Sequence, residues 1–137
     1  MRVRKQEEML RENLKNIGWE GKNLKENLSF YTQGENEELE VIKFDYSIYD
    51  EENCIAVLYD TNYDENTFIM EKEKFIQNLN LHEIPFLILI NENMELLLID
   101  TKTKNAKRVE IEEISYKKLQ ERVQADRVIS KTYEVEV

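Results

Sequence analysis

Two aspartates, Asp45 and Asp60, are the residues whose type and setting suggest chemistry, because each stands near the end of a segment that reads as a β-strand. Hard cations such as Mg²⁺ or Mn²⁺ take oxygen ligands, and carboxylates at neighbouring strand ends can share one ion. The single cysteine and the single histidine make no comparable pair. A catalytic thiol at Cys54 calls for a histidine within reach, no motif ties His82 to it, and Cys54 reads as a small core residue. His82 falls in a short connection without a second ligand at metal-binding spacing, so it reads as a surface or helix-cap histidine. There is no Gly-rich phosphate loop, no paired Cys/His zinc spacing and no nucleophile elbow, so nucleotide-binding and hydrolase readings have nothing to stand on.

The elements that must position these acids follow from hydrophobic period. Val3, Leu10, Leu14 and Ile17 share one helical face and Gly18 stands at a C-cap, which predicts a helix over residues 3–17 with Trp19 folded back on it as core. Leu28 and Phe30, a loop near Gly34, then Leu39, Phe44, Tyr46 and Ile48 read as a β-hairpin. After a turn at 50–53, residues 54–59 are continuously apolar, as in a central strand covered on both faces. Phe68, Ile69, Lys72, Phe75, Ile76 and Leu79 share a face of a second helix running from about 64 to 80. Residues 86–91 and 94–100 form a further hairpin whose first strand, arriving after a crossover helix, should lie parallel to the central one. A polar turn at 101–107, a short extended segment at Val109 and Ile111, and a helix over 116–124 follow. The alternating tail from Arg127 leaves two readings: an edge strand, which would be a dimerisation hazard, or a segment that continues into something further.

With 137 residues, 41 % of them apolar, one proline and three glycines, the chain is expected to be one domain over 1–137. Its core would span about 3–105, with a C-terminal helix and tail over 106–137. The apolar runs are too short to span a bilayer, and the charged N-terminus lacks the apolar core of a secretory signal. A lone cysteine makes no intramolecular disulfide. A soluble, cytoplasmic protein with no membrane contact is the expectation. The net charge is −10, and residues 31–100 hold 17 Asp/Glu against 3 Lys/Arg. Such a surface repels phosphate backbones, so a protein partner or self-association is expected before direct nucleic-acid binding.

The order helix, three strands, helix, two strands resembles the PD-(D/E)XK nuclease fold. More narrowly, it is similar to the N-terminal nuclease domain in restriction subunits of type I restriction-modification enzymes. Three stretches over residues 5–105 carry the resemblance: 7–19, like the family's opening helix with its leucine, glycine and aromatic ending; 44–48, like the strand bearing the metal-binding aspartate; and 84–100, like its late hairpin. The resemblance implies an α/β (α+β) fold, restriction-endonuclease-like, with a mixed central sheet flanked by helices. It also implies an acid pair holding Mg²⁺ or Mn²⁺ and a lysine that helps activate water. By position Asp45 matches the first acid, whereas the second acid and the lysine fall at Tyr59 and Thr61. A shift of one residue brings in Asp60 and Asn62, at the cost of a bulge near Tyr59 and an amide in place of the cation. Gln77 matches a glutamine that follows the metal site, and Glu7, Glu8 or Glu12 an accessory acid.

Three functions are therefore carried forward. The preferred one is a catalytically degenerate restriction-endonuclease-like domain acting as a scaffold or protein-interaction module in a restriction or defence system, with no cofactor. The second is a Mg²⁺/Mn²⁺-dependent deoxyribonuclease using Asp45 and Asp60, with Asn62 and Gln77. The third is an unrelated α+β regulatory domain. A wholly antiparallel sheet would end the nuclease comparison.

Overall fold

The computed structural model describes residues 4–19, 23–33 and 39–135, and their side chains except at 4–7, 26–33, 39–43, 60 and 126–135. The loop expected near Gly34 and the side chain of Glu7 thus lie outside the described residues. The chain divides into two compact units, Gly21–Glu110 and Met1–Glu20 with Ile111–Val137.

The first unit is built on a six-stranded mixed sheet. Strands β1 (Leu24–Gln33) and β2 (Leu39–Asp50) pair antiparallel, with Leu24 opposite Ile48 and Gln33 opposite Leu39. A tight turn with Glu51 at φ 55° leads to β3 (Asn53–Asp60), also antiparallel to β2. After two short helices, β4 (Phe86–Ile90) lies parallel to β3, with Ala56 opposite Phe86 and Asp60 opposite Ile90. Strands β5 (Leu96–Asp100) and β6 (Ala106–Val109) complete the sheet in antiparallel steps. The spatial order equals the chain order, so β3 and β4 are the central strands. Residues 55–58 and 86–90 are buried throughout, which is why both runs are apolar without alternation.

The helical pattern over 64–80 is realised as two pieces, α2 (Phe68–Glu71) and α3 (Glu73–Leu81). Asp64 delays the start: its carboxylate accepts the Asn66 N–H at 2.9 Å and its carbonyl accepts the Phe68 N–H at 2.9 Å, forming a turn before the first helical residue. At Lys72 the backbone leaves the helical region (φ −115°, ψ 28°). Phe68, Ile76 and Leu79 stay buried on both sides of the break, so the apolar period survives it. The end of α3 is a Schellman motif: the Glu83 N–H bonds to the Asn80 carbonyl, the Ile84 N–H to the Leu79 carbonyl, and Glu83 takes φ 61°. His82 is the exposed C-cap.

One face of the sheet holds a buried cluster of Phe44, Val57, Phe68, Ile76, Leu79, Ile84, Leu87, Leu89, Leu97 and Ile99, joined by the half-buried Cys54, Tyr59 and Phe75. Cys54 and Val57 are three residues apart and would face opposite ways in a regular strand. The pairing shifts between Ile48 and Tyr49, leaving Ile55 as the extra residue of a bulge, and this brings Cys54 round to the cluster. Ser47, opposite Val57, is fully buried with an unpartnered hydroxyl. Thr101, also buried, instead donates its hydroxyl to the Ile84 carbonyl at 2.6 Å, tying the end of β5 to the start of β4.

In the second unit, α1 (Arg4–Asn16) ends in another Schellman motif: the Gly18 N–H bonds to the Lys15 carbonyl, the Trp19 N–H to the Leu14 carbonyl, and Gly18 takes φ 100°. Trp19 is wholly buried, donates its indole N–H to the Ile114 carbonyl at 2.7 Å and lies 4.9 Å from the Tyr116 ring. A 3₁₀ turn (Ile111–Ile114) replaces the extended reading of Ile111. Helix α4 (Tyr116–Val135) then runs through the tail that alternates in sequence. No proline or glycine interrupts it, and extending an existing helix needs no new nucleus, so propagation overrides the β-branched residues. Among the described residues no helix is long and apolar enough to cross a membrane.

Candidate functional site

Because β3 and β4 are parallel, their carboxyl ends lie at one end of the sheet and the loops that follow diverge there, the position at which open α/β sheets form crevices. The Thr61 N–H still donates to the Ile90 carbonyl at 3.0 Å, and beyond it an open groove of about 350 Å³ is lined by Tyr63, Asp64, Glu65, Asn66, Asn91, Glu95 and Arg108. Asn91 shapes one wall: its carboxamide oxygen accepts the Asn93 and Glu95 N–H groups, both at 3.0 Å, which lets Met94 take φ 62° in the β4–β5 turn.

Arg108 reaches the groove from β6. Its Nε donates to Glu65 and its Nη1 stands 3.7 Å from Glu95. The Glu65 hydrogen bond and charge, with Glu95 adding to them, hold the guanidinium above its usual range. The Tyr63 hydroxyl donates to the Glu95 carbonyl at 3.4 Å, and burial, followed by the nearby charges of Glu65 and Glu95, raises its pKa. Tyr63 therefore stays a protonated donor. With Asp64, Glu65 and Glu95 against one arginine, the lining suits hydrogen-bond donors and cations over phosphates.

The residues expected from the sequence fall around this groove and apart from it. Asp60 ends β3, and Asn62 is exposed in the loop that begins the groove wall. Gln77 is exposed on α3 and donates to Glu73 at 3.5 Å, on a different element from the strand ends. Asp45 is half-exposed on β2. Continuing the register that sets Tyr46 opposite Leu58 brings Asp45 alongside Tyr59 and Phe44 alongside Asp60. The ladder with β3 runs from Asp50 to Tyr46, so Asp45 lies one residue beyond its last pair. Phe44 nevertheless joins the cluster that holds Val57, and its ring lies 6.1 Å from Tyr59.

Cys54 stands in the cluster, where burial pushes its thiol up to about 11, and it is no nucleophile at neutral pH. As a donor set for Mg²⁺ or Mn²⁺ the chain offers two aspartate positions on adjacent strands. Among the described residues no three acid, histidine or cysteine side chains are grouped to hold an ion. Neither Thr61 nor Asn62, the two positions at which the resemblance places a lysine, is a cation, so the residues do not make up an acid-pair-and-lysine set.

The sequence did not point to Tyr63, Glu65, Glu95 or Arg108. Glu65 and Arg108 are 43 residues apart, and the successive pairings of β3 with β4, β4 with β5 and β5 with β6 bring their segments together.

No family model matches this chain, and no curated protein matches it. One solved structure, described as a fragment of an HsdR subunit of a type I restriction enzyme from Vibrio vulnificus YJ016, is similar at 20 % identity with a TM-score of 0.46. The similarity covers 73 % of this chain and 21 % of that one, so the chain spans about a fifth of that neighbour. What the molecule has in its own right is an α+β fold with a mixed six-stranded sheet.

Proposed function

We propose that this chain is a nuclease-like domain that has lost catalysis and works as a protein-interaction module, in a restriction or defence system. The resemblance of residues 7–19, 44–48 and 84–100 supports the origin, and the parallel β3–β4 pair meets the topological condition that the comparison sets. The observation that carries the loss of catalysis is the state of the cation at the strand ends. The resemblance puts the lysine at Thr61, or at Asn62 after a shift of one residue, and neither is a cation, while Arg108 is engaged by Glu65 and Glu95. A guanidinium does not deprotonate in proteins, so it cannot take a proton from an attacking water.

The test is calorimetric titration of Mn²⁺ into the wild-type chain and the Asp45→Ala variant. The proposal expects no heat beyond dilution at millimolar metal in either. Binding by the wild type that disappears with Asp45 would contradict it.

The placing of Asp45 and Asp60 on adjacent strands supports a second reading, a Mg²⁺- or Mn²⁺-dependent deoxyribonuclease using both. Without the lysine such an enzyme would forgo a general-base contribution of about 10²–10⁴ in rate.

A further inference from the structure

A strand at the edge of a sheet presents unpaired backbone donors and acceptors, and monomeric proteins blunt such edges by shortness or charge. The two edges of this sheet differ in that respect. β6 has four residues, with Lys107 and Arg108 exposed in its middle. β1 has ten, is paired with β2 from end to end, and among the described residues has no strand on its other side. Its charges, Lys25 and Glu26, stand at its start, and residues 27–33 contain no charge, proline or glycine. Two other uncharged runs, 53–59 and 84–91, contain β3 and β4, which are paired on both sides. The composition of β1 is that of a paired strand, at a position where one side has no partner.

We propose that the outer edge of β1 pairs with β1 of a second copy of this chain, joining two sheets about a two-fold axis. This rests on the interaction-module reading and names its partner. Strands related by a two-fold normal to the sheet are antiparallel, so each copy offers the other an identical edge. With the axis on Ser29, which then stands opposite its own copy, Lys25 falls opposite Gln33 and Glu26 opposite Thr32, so no charge meets its like. A foreign basic segment would be drawn to an acidic edge, whereas this edge is neutral and complements itself.

Analytical ultracentrifugation of the whole chain tests the pairing. The expected result is a concentration-dependent species of twice 16.5 kDa. Its affinity should rise several-fold between about 0.05 and 0.5 M NaCl, since each copy carries a net charge of −10 and salt shortens the range of that repulsion. Gln33→Lys is compatible with the fold, because Gln33 ends β1 opposite the uncharged Leu39 within the chain, but in the pair it faces Lys25. The variant should keep the wild-type circular dichroism and dimerise at least ten-fold more weakly. Independently of that variant, nitroxides on Ser29→Cys in a Cys54→Ser background should lie within about 20 Å of each other, since opposite and diagonal cross-strand positions are about 5–8 Å apart before the label arms are added. A monomer at all concentrations, a dimer indifferent to Gln33→Lys, or labels beyond about 30 Å would overturn the pairing. A monomer that binds no Mn²⁺ would do so while leaving the non-catalytic reading in place.

Discussion

Glu83 and Gly18 hold equivalent places at the ends of α3 and α1, both with positive φ, yet only one is the residue that tolerates it without strain. Glu83→Gly should therefore stabilise the protein by about 0.5–1 kcal/mol, read as a rise in Tm of about 2–5 °C. Gly18→Ala should lower it by about 1–2 kcal/mol, because the backbone conformation is strained for alanine and the new Cβ would also meet the Tyr116 Cβ at 3.4 Å. At Ser47 the buried hydroxyl has no partner, so Ser47→Ala removes an uncompensated polar group and should be neutral or stabilising by about 1 kcal/mol in urea titrations. For Cys54 the folded state holds the thiol proton more tightly than the unfolded chain, whose reference value is 9.0. Its stabilising contribution is thus intact below pH 9 and is lost as pH rises from there through about 11. Iodoacetamide at pH 8 should leave Cys54 unmodified in the native protein and alkylate it in denaturant; rapid native labelling would show that the thiol is not buried as described.

At the scale of elements, the sheet divides into parts that burial alone specifies and parts that it does not. Leu89 is fully buried in the cluster while Leu81, eight residues earlier, is 79 % exposed. Leu89→Ala should cost about 2–5 kcal/mol and Leu81→Ala less than about 0.5 kcal/mol by urea denaturation. The strands β3, β4 and β5 are legible in sequence because burial on both faces demands unbroken apolar runs, and the crossover between β3 and β4 makes their parallel pairing predictable. The break at Lys72 is not legible, since the same face stays buried on either side of it and only the backbone changes. The tail misleads for a different reason: Val128, Ile129, Thr132 and Val135 carry strand preference, but they follow a helix already nucleated at Tyr116. The bulge at Ile55 also leaves no local signature, because it shows only in pairing with another strand.

At the scale of the whole molecule, the acidity read from the sequence meets a strand-end groove with three acids and one engaged arginine. The two aspartates singled out by type reach adjacent strands, whereas Gln77 remains on α3 with Glu73 as its partner. The groove itself escaped the sequence because its charges come from three separate segments. A scaffold tolerates this arrangement; a lysine-assisted nuclease requires a different one. The most direct measurement of the difference is relaxation of supercoiled plasmid DNA by the purified chain with 10 µM to 10 mM Mn²⁺, run beside Asp45→Ala, a range spanning about three decades of metal concentration. The account predicts that neither protein nicks DNA above the metal-only background, and Mn²⁺-dependent nicking by the wild type that Asp45→Ala abolishes would contradict it.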